Sequence, residues 1–261
     1  MKVSLIITTY NWKEALELSL LSSLQQTIQP IEIVVADDGS MPDTGKMIAG
    51  IAAQAPFPVI HSWQENEGFR LSASRNKAIA KTNGEYIVLI DGDIIMEKHF
   101  IADHIHFAQP GCFVQGTRVL IKEELSEKIL ARKKMPETVC KKGVENKKNC
   151  LRSPLLSRLV SFKNRRMNGV RTCNFAFWRN DALAVNGFNE DFIGWGREDS
   201  EFTARLLNYG LMRRSVKFNA LAYHLYHPRH DRSHLPENDR LLREAIEQKK
   251  VWCEKGVNAY I

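Results

Sequence analysis

Tyr86-Ile87-Val88-Leu89-Ile90-Asp91-Gly92-Asp93 places two carboxylates, one glycine apart, at the end of a continuous apolar run. The run is short, β-branched and introduced by Asn83-Gly84, which is the pattern of a buried strand. Like charges at the edge of a core repel, so the pair needs solvent or a compensating cation. The C-terminal edge of a parallel sheet is also where α/β proteins bind ligands. A divalent cation such as Mn²⁺ or Mg²⁺ satisfies oxygen ligands of this kind and can bridge to a diphosphate.

Outward from that strand, the first hundred residues alternate two periodicities. Val3–Thr8 and Ile31–Ala36 read as apolar strands, and Val59-Ile60 begins a short third. Lys13–Gln25, Asp43–Gln54 and Ser72–Thr82 read as helices, the first with Ala15, Leu16, Leu18, Leu20, Leu21 and Leu24 on one dominant face. Such alternation implies βαβ units and a mainly parallel sheet with right-handed crossovers. Beyond Asp93 the spacing predicts helices at Glu97–Phe107, Lys122–Lys133, Pro154–Phe162, Gly196–Asn208 and Glu237–Lys250. Strands are predicted at Cys112–Ile121 and Thr172–Trp178, and a polar, basic loop at Lys134–Asn149.

With 261 residues the chain can bury a sizeable core. Its hydrophobic content of 44% and charged content of 26% are those of a soluble globular protein. No apolar run approaches the roughly 20 residues that span a bilayer. Met1–Ile7 breaks into Thr8-Thr9-Tyr10-Asn11 without a small-residue cleavage site, so it reads as a first strand rather than a signal peptide. The five cysteines are widely spaced with no Cys-x-x-Cys, which argues against a disulfide framework or zinc ribbon and fits a reducing cytoplasm. The net charge of +7 is uneven: Lys122–Arg166 holds 14 Lys+Arg against 5 Glu, and the remainder is slightly acidic. Such a segment either is a solvated insertion or attracts an anionic surface.

Three strand ends carry polar groups: Thr8, Thr9, Tyr10 and Asn11; Asp37 and Asp38; Asp91 and Asp93. In a parallel sheet these ends line one crevice. Carboxylates there accept the N–H of a base or the hydroxyls of a ribose, and Tyr10 can stack on a base. No Gly-x-Gly-x-x-Gly and no Walker loop follows the first strand, which argues against a dinucleotide cofactor or a P-loop triphosphatase. Together with Val3–Asn11, Val34–Ser40, Ser74-Arg75-Asn76 and Gly84-Glu85-Tyr86, these motifs make the chain resemble the family-2 glycosyltransferases of the GT-A fold. The resemblance implies that Thr8, Tyr10 and Asp38 contact the nucleoside of a nucleotide-sugar, most often UDP. It implies that Arg75 approaches the base or diphosphate, that Asp91 lies near the ribose and that Asp93 ligates Mn²⁺ or Mg²⁺.

Farther along, Gly194-Trp195-Gly196-Arg197-Glu198-Asp199 sets an exposed ring between glycines and two acids at a helix start, where the helix dipole favours negative charge. A core tryptophan before an acidic first turn would give the same pattern. The stretch resembles the Gly-Trp-Gly-x-Glu-Asp segment of the β-1,4-galactosyltransferases and chondroitin-polymerase-type enzymes, with Arg197 where those galactosyltransferases commonly have glycine. That resemblance implies Asp199 as general base, Glu198 as its acceptor-binding neighbour, and Trp195 with Gly196 as the sugar platform. It also implies a metal-ligating histidine after the acidic helix. Of His224, His227, His230 and His234, His224 matches best and His227 is the runner-up. Arg229, Arg232 and His230 would neutralise a departing diphosphate.

The expectation is one large α/β domain of GT-A type, mainly parallel sheet with flanking helices. Residues 1–110 would form the nucleotide-sugar-binding half. Residues 111–261 would form the acceptor-binding half, with a basic insertion at 122–166 and a carboxy-terminal helix. The implied function is metal-dependent inverting transfer from a UDP-sugar, of galactose or N-acetylhexosamine type, to a saccharide or lipid-linked saccharide in bacterial surface polysaccharide or lipopolysaccharide synthesis. The implied location is cytoplasmic, peripheral on anionic membrane, with no nucleic-acid partner. The rivals are a non-catalytic nucleotide-sugar or glycan binding module on the same fold, and a sugar-1-phosphate nucleotidyltransferase. The latter would show a Gly-rich basic loop after strand one, which Thr8–Trp12 lacks.

Overall fold

The expected buried strand, β4 (Tyr86–Asp91), is buried along its apolar length in the computed structural model, which describes residues 1–135, 142–228 and 231–261. It pairs in parallel with β1 (Val3–Thr9), which pairs in parallel with β2 (Glu32–Asp37), which pairs in parallel with β3 (Val59–Trp63). Helices α1 (Lys13–Leu24), α2 (Pro42–Ala52) and α3 (Leu71–Lys81) make the crossovers. On its other side β4 meets β9 (Phe175–Trp178) antiparallel, and the sheet continues through β6 (Cys112–Gln115), β10 (Met212–Ser215) and β8 (Phe162–Asn164). The result is an eight-stranded sheet in the order β3-β2-β1-β4-β9-β6-β10-β8.

The strands read as unbroken apolar runs because both faces are covered. Leu5, Ile7, Ile33, Val35, Val88 and Ile90 face one core with Leu16, Leu20 and Ile48 of α1 and α2, and with Phe100 and Phe107 of α4 (Phe100–Phe107). Ile6, Val34, Ile87 and Leu89 face a second core, with Ala78 and Ile79 of α3 and Phe202 and Leu206 of α8 (Glu198–Asn208). Period-two alternation thus assigns every other residue of one strand to a different core.

A second sheet orders β5 (Ile94–Met96), β11 (Ala222–His224) and β7 (Arg118–Leu120). It packs with α1 and α5 (Glu123–Arg132) around a third core of Leu18, Ile95, Val119, Ile129 and Leu225. The predicted continuous strand Cys112–Ile121 is therefore two strands in two sheets. Gly116 divides them: a Cβ there would collide with the Asn174 side chain, whose amide donates to Thr117 O (2.7 Å) and Ala220 O (2.8 Å). The predicted strand at Thr172 starts only at Phe175, because Thr172–Asn174 curl into one 3-10 turn. The helix predicted from Gly196 begins at Glu198, after Arg197 adopts a left-handed backbone (φ 78°). The strands at Ile94, Phe162 and Met212 and the helix α7 (Arg179–Ala184) are too short to show a period in the sequence. The basic segment carries α5, a 3-10 turn at Lys147–Cys150 and α6 (Pro154–Val160), and part of the loop expected at Lys134–Asn149 lies outside the described residues. The chain closes with α9 (Leu235–Glu247). No described helix is long and apolar enough to cross a membrane.

Helix α8 is fixed from below by a buried ion pair. Arg205 and Glu201, one turn apart, are almost fully buried, and Arg205 also donates to the carbonyls of Val185 and Gly187. Phe188 then stacks on Phe202 at 4.3 Å between ring centres. Removing one member of such a pair strands the other charge in the core, at a cost of about 3–5 kcal/mol. Arg205→Ala should lose about that much stability in denaturant unfolding; a loss below ~1 kcal/mol would contradict a structural role for the pair.

Candidate active site

The parallel register sets Thr8 opposite Asp91, and the Thr8 hydroxyl donates to Asp91 Oδ1 at 3.0 Å. At the end of β2, Asp37 is fully buried, accepts the Ser40 amide at 2.8 Å and lies 2.8 Å from His61 Nε2. Asp38 accepts the Arg70 amide at 2.8 Å and the Gln64 side-chain amide. Burial raises the Asp38 carboxyl, against the lowering effect of those two donors. Tyr10, beyond the end of β1, is 47% exposed, and its hydroxyl accepts from Asn66 Nδ2 at 3.1 Å. Thr8, Tyr10, Asp38 and Asp91 therefore all stand at the C-terminal ends of the parallel strands or just beyond them.

Arg75 of α3 is 1% exposed, unlike a cation on a helix surface. Its Nη2 reaches Asp91 Oδ1 at 3.3 Å, while Nη1 reaches Asp199 Oδ1 at 3.0 Å and Glu198 Oε1 at 3.5 Å. The guanidinium carbon sits 5.0 Å from the centre of the Phe188 ring. Burial opposes its charge, but Asp199, Asp91 and Glu198 outweigh that, so the guanidinium holds its proton more firmly than usual. One cation does not balance three carboxylates. Glu198 absorbs the difference: burial first, then the Asp199 charge, pushes its carboxyl up to about 8. Its Oε2 is buried without a partner among the described residues.

Asp199 is oriented by a residue that sequence reasoning missed. The Thr172 amide donates to Oδ2 at 3.0 Å and the Thr172 hydroxyl to Oδ1 at 2.6 Å. A threonine that opens a single 3-10 turn carries no spacing signal; only its contact with Asp199 at the start of α8 reveals it.

The second sheet assembles the other cluster. β11 runs antiparallel to β5 with His224 opposite Ile94, and the Leu225 amide donates to Asp93 O at 3.0 Å. His224 Nε2 and His227 Nε2 consequently lie 3.5 and 3.4 Å from Asp93 Oδ2. One ligand atom from each of these three residues falls within a 4.8 Å group. His227 Nδ1 sits 2.7 Å from the Pro228 carbonyl oxygen; a proton held there turns Nε2, as an acceptor, toward Asp93. His224 is driven down to about 3 by burial, then by the charges of Arg118 and His227, so it is neutral. Asp93 is pushed up to about 8 by burial and then by Asp91, and its Oδ1 has no partner among the described residues. Two imidazole nitrogens and a carboxylate oxygen converging at this spacing fit a divalent cation. The mixed nitrogen and oxygen set suits Mn²⁺ better than Mg²⁺, which prefers oxygen ligands and water. Asp91 stays outside this set, held by Thr8 and Arg75.

Gly194 and Gly196 take left-handed backbones (φ 72° and 105°) and lift Trp195 between them, 36% exposed. Asn238 of α9 pins the turn by donating to Ile193 O (3.1 Å) and Gly196 O (2.9 Å). The Arg232 guanidinium lies over the Trp195 ring at 5.1 Å, and Arg197 pairs with Asp239. Arg229 and His230 lie outside the described residues.

Comparison with known proteins matches the family "Glycosyl transferase family 2" over residues 4–177. The family described as "N-terminal domain of galactosyltransferase" matches residues 158–231. Chondroitin synthase of Escherichia coli is 28% identical over 242 residues, covering 85% of this chain and 34% of the relative. Chondroitin synthase of Pasteurella multocida is 26% identical over 271 residues, covering 95% of this chain and 27% of the relative. The chain thus spans about a third or less of those relatives. The crystal structure of S. aureus TarS 1-349 in complex with UDP superposes with a TM-score of 0.66 at 17% identity, over 100% of this chain and 68% of that one. The fold is accordingly the expected mixed α/β architecture of GT-A type, and the chain belongs to glycosyl transferase family 2.

Proposed function

We propose that the chain is an inverting, metal-dependent glycosyltransferase that moves a sugar from a UDP-sugar to a saccharide or lipid-linked saccharide. The observation that carries this reading is Arg75, which ties the strand-end carboxylate Asp91 to Asp199 at the start of α8. A nucleotide crevice and a candidate base thereby share one rigid support. The UDP complex of the S. aureus neighbour supports a uridine diphosphate donor, and the chondroitin synthases support polysaccharide synthesis. Residues 1–110 would hold the donor and residues 111–261 the acceptor. A peripheral contact with anionic membrane, where lipid-linked acceptors reside, is part of the same reading.

In the proposed reaction Thr8, Tyr10, Asp38 and Asp91 hold the nucleoside, with Tyr10 free to stack. Trp195 and Gly196 seat the acceptor sugar once the Arg232 guanidinium moves off the ring, and Arg229 lies in the segment that would meet the diphosphate. The acceptor hydroxyl attacks the anomeric carbon from the face opposite the diphosphate. Its proton passes to Asp199 as the new C–O bond forms and the bond to the diphosphate breaks. Thr172 and Arg75 keep Asp199 aimed. Glu198, protonated near neutrality, offers a hydrogen bond to an acceptor oxygen rather than a second negative charge. Arg75 acts from behind the carboxylates as a positioning residue. Asp93, His224 and His227 would hold the cation, which when bound supplies Lewis-acid stabilisation of the leaving diphosphate. A binding module without turnover remains the rival reading, and it would need none of the Thr172–Asp199 bonding.

Asp199→Asn should reduce turnover by roughly 10²–10⁴-fold while UDP affinity, read by calorimetry, changes little. Unchanged turnover would remove Asp199 as the base, and no turnover in the parent with any nucleotide-sugar would favour the binding module. Glu198 is neutral below about 8, and deprotonation above that adds charge beside Asp199. Transfer should therefore fall on the alkaline side, and Glu198→Gln, which cannot ionise, should flatten that limb. His224→Ala should weaken Mn²⁺ binding by roughly tenfold or more in a free-Mn²⁺ titration by electron paramagnetic resonance; wild-type affinity would exclude the histidine from the site.

A further inference from the structure

Within the basic segment, the stretch Lys147–Arg166 holds seven Lys+Arg and no Asp or Glu. Among the described residues, the same stretch carries the densest group of exposed large apolar side chains. Leu155 and Leu159 are 75% and 81% exposed, and Leu151, Phe162 and Leu156 are also exposed. Helix α6 is turned inside out: Ser157 is fully buried against the body, while Leu155 and Leu159, two positions to either side, point away from it. Leu151, Leu155 and Leu159 recur every four residues along that outer side.

The patch is held firmly. Ser153 caps α6 through the Leu156 amide at 3.4 Å, and its own amide donates to Phe218 O at 2.8 Å. Arg152 grips Asp103 with two bonds of 3.1 and 2.6 Å, and Arg165 donates to Leu207 O. Upstream, Asn146 and Asn149 both donate to Arg118 O on β7, in the sheet that carries His224. The leucines are therefore presented by a fixed scaffold. Around them Lys147, Lys148, Arg158, Lys163 and Arg166 are exposed.

An outward apolar ridge inside a ring of cations matches one occupant best. A second copy of the chain would set the same cations against themselves, a like-charge contact that works against pairing. Polyanions without an apolar layer would leave the leucines in water. A bilayer surface rich in anionic headgroups satisfies both features, since apolar side chains enter the acyl boundary while Lys and Arg stems reach up to the phosphates. We propose that α6 with its flanks, Leu151 to Phe162, is the element that seats the protein on an anionic membrane surface. The inference deepens the peripheral-membrane part of the proposed function and rests on that part alone, not on the transfer chemistry.

The test is co-flotation of the whole protein with phosphatidylcholine vesicles, with and without roughly one third phosphatidylglycerol. The wild type should float only with the anionic vesicles, and less so as salt rises. Leu155→Ser/Leu159→Ser should weaken binding by roughly tenfold or more, with an unchanged thermal midpoint and unchanged transfer to a soluble saccharide acceptor. Lys147→Glu/Lys148→Glu, which leaves the ridge intact, should weaken it as well. A leucine variant that floats like the wild type would overturn the assignment to α6 while leaving the transferase reading intact. So would a wild type that ignores anionic vesicles, including one that light scattering shows to pair through this face. Absence of transfer to any soluble acceptor, with flotation as expected, would count against the transfer chemistry and not against the docking element.

Discussion

One buried guanidinium organises the crevice. Arg75 meets Asp91 from the sheet and Asp199 and Glu198 from α8, three carboxylates that would repel one another without it. Its neighbour Asn76 clasps the loop beneath: Asn76 Nδ2 donates to Phe188 O at 2.7 Å, and the Phe188 amide donates back to Asn76 Oδ1 at 2.8 Å. Phe188 in turn lies under the Arg75 guanidinium and stacks on Phe202 of α8. Two adjacent residues of α3 thus set both the charge balance above and the packing below. Arg205, paired with Glu201, anchors α8 from its buried side through the carbonyls of Val185 and Gly187.

The second cluster depends on a different constraint, the pairing of two three-residue strands. β5 follows Asp93 directly, and β11 ends on His224, so their antiparallel register brings a carboxylate and an imidazole together from positions far apart in the chain. Asp93 is buried, both histidine Nε2 atoms face it, and one of its carboxylate oxygens has no hydrogen-bond partner among the described residues. Buried polar groups are normally satisfied, and a carboxylate beside two imidazoles is a donor set that a divalent cation would complete.

The alternation of strands and helices through residue 93 could be read directly, because long segments buried on both faces or on one stripe carry a strong period. The motifs Asp91-Gly92-Asp93 and Gly194–Asp199 could also be read, since glycines and paired acids stand out locally. Thr172 could not, because its role lies in a contact with Asp199 across the fold. Nor could the split at Gly116, which follows from the approach of Asn174 rather than from any feature of Cys112–Ile121 itself. The exposure of Leu155 and Leu159 was equally hidden, since leucines at helical spacing ordinarily face a core.

Local composition therefore settled the fold class, the order of the parallel strands' elements and the residue types available at the sheet edge. It did so because hydrophobic period and turn chemistry act over a few residues. Tertiary structure alone decided which carboxylate Arg75 shares with which, that Asp93 meets two histidines, and that one leucine ridge faces outward. The first two outcomes depend on registers and crossings between segments more than a hundred residues apart, and charge, burial and proton affinity at Asp93 and Glu198 take their values only once those segments meet.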